Sequence, residues 1–277
     1  MSYIDATLAT NRKTGQIRLY GEEGFEGMRR AGRLVAQALD ILQDRVKPGV
    51  TTNDLDRAVF EFVMDNGALP ATLMYRGYTH STCISINHVV CHGIPNDKPL
   101  REGDILNVDV TVILDGWYGD SSRMYAAGEI PRRAERLIEV THEAMMRGIA
   151  AVTPGGTTGD IGAAIQDFAE GGERMGVVRD FCGHGVGQLF HDEPNILHYG
   201  RPGEGAVLKP GMIFTIEPMI NLGRPHVKVL ADGWTAVTRD RSLSAQFEHS
   251  VGVTATGVEI FTLSPGGFDN PVATKAA

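Results

Sequence analysis

Residues 107–122 read NVDVTVILDGWYGDSS, two strand-like runs joined at Asp115-Gly116, a pair that favours a two-residue hairpin turn. Pairing outward from that turn sets Leu114 opposite Trp117, Ile113 opposite Tyr118 and Thr111 opposite Asp120. Side chains alternate along a strand, so Asp109 shares the face of Thr111 and Asp120, while Leu106, Val108, Val110, Val112 and Leu114 point the other way, into a core. The two aspartates become diagonal cross-strand neighbours, with β-carbons roughly 7 Å apart. Like charges on a half-buried sheet repel, and a positive group is expected between them.

Working outward, the chain repeats itself. KPGVTTNDLDRAVFEFV from Lys47 and TPGGTTGDIGAAIQDFA from Thr153 align without gaps at an offset of 106 residues. Each places a Pro-Gly turn before Thr-x-x-Asp, a capping-box start, and then apolar residues at helical spacing. GDILNVDV from Gly103 resembles GMIFTIEP from Gly211 at an offset of 108, which carries Asp109 onto Glu217. Two similar α+β units are expected to bring equivalent strands, each with its carboxylate, to one shared cleft. The expected organisation is a polar arm over residues 1–20, one domain over 21–264 with halves at about 47–150 and 153–264, and a polar tail over 265–277.

At 277 residues and 42% hydrophobic content the chain can bury one large core or two fused half-sized ones. A net charge of −8 without a dense Lys/Arg cluster argues against nucleic acid or an anionic membrane as partner. No run approaches the ~18 apolar residues of a membrane span, and MSYIDATLATNRKTGQ lacks the apolar stretch of a signal peptide, so a cytoplasmic location is expected. Cys83, Cys91 and Cys182 form no CxxC pair, which fits reduced thiols.

Further donors follow in the second half: His184 and His191 in FCGHGVGQLFHDEP, Glu217 in MIFTIEPMI and Glu248 in AQFEHSVGV. Asp109, Asp120, Glu217 and Glu248 match the charge of two divalent cations, with His184 as a neutral nitrogen ligand. An oxygen-dominated set without cysteine points to an open catalytic site in preference to a closed structural zinc site. His88-x-x-x-His92 has the spacing of a helical metal pair, but the alternation of TCISIN before it and Gly-Ile-Pro after it argue for strand and turn. CGHGVG is glycine-rich without opening a dinucleotide-binding unit.

VCHGIP, NVDVTV with GDSS, FCGHGVG, FTIEPM and AQFEHS, in this order and spacing, make the chain resemble the type I methionine aminopeptidases of the bacterial kind over roughly residues 20–263. The resemblance implies an α+β pita-bread fold, two pseudo-symmetric halves around a curved antiparallel sheet with helices outside, and metal-dependent removal of an N-terminal methionine before a small second residue. It implies that Asp109 binds one metal, that His184 and Glu217 bind the other, and that Asp120 and Glu248 bridge both. Glu217 would take a proton from the attacking water; His191 would hydrogen-bond the scissile amide and His92 would pass a proton to the leaving amine. Tyr75, Tyr78, Cys83, Phe190 and Trp234 would line a pocket for the thioether. Thr72 stands where many bacterial relatives have a pocket-lining cysteine, so a more polar rim is expected. The implied cofactors are two divalent ions (Co, Mn, Fe or Zn), with a monovalent cation near Asn87, Val89 and Ser244. The implied partners are nascent polypeptides at the ribosome and peptide substrates, with a monomer expected.

Spacings of 33 residues from His184 to Glu217 and 31 from Glu217 to Glu248 leave no room for the helical insertion of type II enzymes. No N-terminal Cys/His zinc module precedes the first helix. The competing enzyme is an Xaa-Pro aminopeptidase or prolidase, which carries a large additional N-terminal domain, whereas about twenty residues precede the first helix here. A non-catalytic pita-bread binding protein should lack the ligands, and all five are present.

Overall fold

The Asp115-Gly116 turn has both residues in the left-handed region, φ 51° and 81°, the twist that suits a two-residue hairpin. The computed structural model describes residues 1–269, so residues 270–277 of the expected tail lie outside the described residues. From the turn, strand Asp104–Leu114 runs against Trp117–Ala127, with Thr111 opposite Asp120 and Asp109 opposite Ser122. Strand Thr82–Ile86 pairs with the other edge of Asp104–Leu114 and sets Cys83 opposite Asp109. Leu106, Val108, Val110 and Val112 are fully buried and cluster with Val35, Leu39, Leu55 and Val59 of helices α1 (Glu22–Asp40) and α2 (Thr52–Asp65). Helix α1 lies close on the hairpin because glycine permits it: a Cβ at Gly119 would collide with the Ala31 carbonyl, and one at Gly27 with the Trp117 ring.

The two aligned segments fold alike. Thr51 and Asp54 form a capping box that starts α2, and Thr157 and Asp160 form one that starts α4 (Thr158–Gln166), which follows α3 (Arg132–Ala150). Their Pro-Gly turns are pinned in the same way. Gly49 N–H donates to Leu100 O at 2.8 Å and Leu100 N–H to Val50 O at 2.8 Å; Gly155 N–H donates to Leu208 O at 2.8 Å and Leu208 N–H to Gly156 O at 2.7 Å. In the second half, strands Asp192–Ile196, Gly183–Gly185, Ile213–Ile216, His249–Val253 and Val258–Ile260 form one sheet in that order. Leu137, Val140, Ala144, Ile161 and Ile165 of α3 and α4 cluster against its Phe214 and Ile216.

The four-stranded and five-stranded sheets meet where Ser122 and Glu248 form an antiparallel bridge. Two buried hydroxyls reinforce that seam reciprocally: Ser121 Oγ donates to Glu248 O, and Ser250 Oγ to Asp120 O, each at 2.7 Å. The backbones of two acidic residues are thereby fixed to each other.

The arm and the described start of the tail engage more than their polar composition suggests. In the arm, Tyr3–Asp5 pairs with Ile17–Leu19 in parallel, and Ile17 is buried in the core. Arg18 is buried against Asp192, Nε to Oδ2 2.6 Å. Ser264 N–H donates to the Asp269 carboxylate, which faces Arg123.

Ser121→Ala removes the shorter of two hydrogen bonds to the Glu248 carbonyl, leaving the Ser122 N–H at 3.4 Å, and is predicted to cost about 0.5–1.5 kcal/mol, read as a lowered urea midpoint with an unchanged slope.

Candidate metal centre

The hairpin faces its polar side toward the second half, and the seam brings Asp120 and Glu248 together. Asp120, His184 and Glu248 each offer a ligand atom within 4.8 Å of the others. Glu217 joins them: His184 Nε2 is 3.6 Å from Glu217 Oε1 and 3.6 Å from Asp120 Oδ2. Asp109 lines the same cleft, half-buried, two residues along the strand from Thr111. The five residues expected as ligands therefore stand in one cleft of about 650 Å³.

Neighbouring groups aim these side chains. Thr111 Oγ1 donates to Asp120 Oδ1 at 2.7 Å, and Thr215 Oγ1 to Glu217 Oε1 at 2.8 Å. Gln246 Nε2 donates to Glu217 Oε2 at 3.3 Å. His184 Nδ1 lies 3.1 Å from Gly185 O, so Nδ1 carries the proton and the Nε2 lone pair faces the carboxylates. His198 Nε2 accepts the Glu217 N–H at 3.1 Å. Of these supporting residues only Thr111 stands out in the sequence, through its place beside both aspartates in the hairpin.

Among the described residues, no lysine or arginine makes an ion pair with the four carboxylates. Burial raises Asp109 to about 7. It also pushes Asp120, Glu217 and Glu248 well above the usual carboxylate range, with mutual repulsion adding to it. Burial holds His184 down at about 4, so its imidazole is neutral and free to ligate. Four acid groups without a counter-charge, beside a neutral nitrogen with its lone pair exposed to them, fit hard or borderline divalent cations.

The remaining expected residues border the same cleft. His191 sits above the cluster, its ring 4.2 Å from that of His184, and its Nδ1 is 3.2 Å from the Tyr75 hydroxyl. Burial lowers its pKa to about 3. His92, in a left-handed conformation at φ 56°, is set edge-on to Phe181, with ring centroids 5.4 Å apart; burial lowers its pKa as well. Tyr78 packs against Trp234 at 5.1 Å and Tyr75 against Phe190 at 4.9 Å, with Cys83 buried nearby in the wall. The expected polar rim at Thr72 is not what the structure presents: its hydroxyl donates to Ser81 O at 2.6 Å and is spent within the wall. Lys13 reaches the cleft from the arm and pairs with Glu193 at 3.3 Å, which no local sequence signal indicated. Asn87 and Ser244, expected near a monovalent cation, are joined by Ser244 N–H donating to Asn87 O at 2.8 Å.

A family model, metallopeptidase family M24, matches residues 26–255. The methionine aminopeptidase of Rickettsia prowazekii (strain Madrid E) is 58% identical over 257 residues, covering 92% of this chain and 98% of that protein. The methionine aminopeptidase of Escherichia coli (strain K12) is 51% identical over 243 residues, covering 87% and 92%. A crystal structure of the Rickettsia prowazekii enzyme superposes with a TM-score of 0.88 over 90% of this chain and 100% of that one. The prolidase of Pyrococcus furiosus, 22% identical, superposes at 0.70 over 88% of this chain and 65% of that one, a likeness of fold alone.

A proton on a carboxyl must leave before a metal can bind, so affinity for divalent ions is predicted to rise with pH through about 7, where Asp109 deprotonates. Calorimetric titration of chelator-treated protein with Mn²⁺ at about pH 6.5, in two buffers of different ionisation enthalpy, should reveal proton release. Equal heats in both buffers would contradict the protonated cluster.

Proposed function

The chain belongs to metallopeptidase family M24 and, within it, to the methionine aminopeptidases of the bacterial type; on that premise we propose that it removes the N-terminal methionine from nascent proteins and peptides whose second residue is small. The observation that carries this reading is the union, in one cleft, of an acid–imidazole cluster with a recess of aromatic rings and a buried thiol. A soft, unbranched thioether suits such a wall.

Asp109 would hold one metal ion, His184 and Glu217 the other, and Asp120 and Glu248 both. When bound, the two dications supply Lewis acidity, acidifying water toward neutrality and polarising a peptide carbonyl. Glu217, with both carboxylate oxygens steadied by Thr215 and Gln246, is placed to take the proton of the attacking water. The Tyr75 hydroxyl lies 3.2 Å from His191 Nδ1; donating there, it would keep the imidazole proton on Nε2, the nitrogen left to donate to the scissile amide. His92, neutral and beside Trp234, with ring centroids 6.3 Å apart, would help pass on to the leaving amine the proton that Glu217 takes from water. Tyr75, Tyr78, Cys83, Phe190 and Trp234 receive the methionine side chain. Mn, Fe, Co and Zn all suit oxygen with one imidazole, and availability selects among them. A monovalent cation is assigned to the neighbourhood of Asn87, Val89 and Ser244. The working context is a cytoplasmic monomer acting on chains as they emerge from the ribosome; among the described residues no helix is long and apolar enough to cross a membrane.

Peptide assays separate this reading from proline-directed cleavage: Met-Ala-Ser should be cleaved, with Met-Lys-Ser and Xaa-Pro peptides much slower. Comparable rates on Met-Ala-Ser and Met-Lys-Ser would sink it. The residue roles are separable too. Asp120→Asn should abolish tight binding of at least one metal ion, whereas His191→Ala should keep metal content near wild type and lose about 100- to 1,000-fold in turnover under metal saturation. Equal metal loss in both variants would make His191 a ligand.

A further inference from the structure

Among the helical positions at which the two halves differ, one lies under the specificity pocket. The 106-residue offset aligns Asp56 on α2 with Gly162 on α4. At Gly162 the chain packs directly on the helix, and a Cβ there would run into the carbonyls of Tyr199 and Leu197. Asp56 instead reaches out. Its Oδ1 accepts three hydrogen bonds, from Ser81 N at 3.0 Å, Thr82 N at 2.9 Å and Thr82 Oγ1 at 2.8 Å. These bonds clamp the C-terminal end of the segment that carries Tyr75 and Tyr78.

That segment needs an outside anchor. Met74, Arg76 and Gly77 all have positive φ, 67°, 49° and 87°, and two of the three carry side chains that disfavour it. Its N-terminal end is tied to the sheet by Ala71 N–H donating to Thr111 O at 2.8 Å, and Thr72 Oγ1 donating to Ser81 O closes the loop on itself. Ser81 is thus where the loop's own closure and the Asp56 clamp meet. Tyr78 OH reaches Thr82 O at 2.9 Å and Gly93 O at 3.1 Å, so a shift of Thr82 disturbs the shorter of the two contacts that set the ring facing Trp234. Tyr75 follows, because Tyr78 N–H donates to Tyr75 O at 2.9 Å, and with it the hydroxyl beside His191.

We propose that Asp56 is a positioning residue for the methionine pocket: it touches neither substrate nor metal, and through Ser81 and Thr82 it sets where Tyr75 and Tyr78 stand. The inference rests on the reading of the site as a methionine aminopeptidase. Asp56→Ala should raise KM for Met-Ala-Ser and shrink the preference for Met-Ala-Ser over Leu-Ala-Ser by about tenfold, with two metal ions still bound per chain. Asp56→Asn, which retains a neutral acceptor at the same place, should recover most of that preference. In the metal-free protein, acrylamide quenching of tryptophan emission should rise in Asp56→Ala, because Trp234 loses the cover of Tyr78 while Trp117 stays buried. A folded, metal-loaded Asp56→Ala with wild-type preference and quenching overturns the proposal. Should the alanine variant fail to fold, Asp56→Glu, which keeps the charge but displaces the acceptor by one methylene, decides: a measurable fall in preference supports the clamp, and a wild-type value overturns it. A wild-type enzyme with no preference for methionine is a different result, which removes the functional reading itself.

Discussion

Bringing Asp109, Asp120, Glu217 and Glu248 into one cleft costs several kcal/mol for each ionised group that lacks a counter-charge, and the architecture around them is explicable as the means of holding that arrangement. The backbones of Asp120 and Glu248 are cross-bonded through Ser250 and Ser121, so repulsion between their side chains cannot push the strands apart without breaking buried hydrogen bonds. Thr111, Thr215 and Gln246 occupy lone pairs that would otherwise be free to rotate. Two apolar layers, one under each sheet, supply the stability that such a site consumes. Divalent cations bound there would convert the same repulsion into attraction and tie the folded state to the metal.

The hairpin was legible because a single Asp-Gly pair fixes register, and the two-residue period then assigns every side chain to a face; Thr111 does stand opposite Asp120. The capping boxes were legible for a similar local reason, each written within four consecutive residues. The second-half strands were less so, several being only three residues long, too short to show a period of their own. Arg18 and Asp192 were not visible at all: they sit 174 residues apart, and nothing near either one announces a buried partner. Thr72 shows the opposite error, in which residue type suggested a polar rim and only the Ser81 contact reveals where the hydroxyl goes. The five expected ligands could be named from motifs, yet the groups that orient them come from contacts that local patterning does not encode.

Duplication explains the frame of the molecule and its asymmetry explains the chemistry. Both halves contribute acid residues and a capped helix, but the aromatic recess draws heavily on the loop after α2, where Tyr75 and Tyr78 stand. The second half has His184 and His191 on and beside its short strands and uses glycine to admit them: a Cβ at Gly183 would meet the Thr215 carbonyl, and one at Gly185 the Glu193 carbonyl. Close strand approach on one side and a side-chain-rich loop on the other give a cleft with a polar floor and an apolar wall.

The buried pair between Arg18 and Asp192 also orders events in time. Asp192 is translated 174 residues after Arg18, so the pair cannot form until the second half is made. Closing so long a loop is entropically unfavourable until the second-half sheet exists to receive the arm. The wall that Lys13 adds to the cleft is therefore set in place only once the second half exists, although Lys13 is translated well before it.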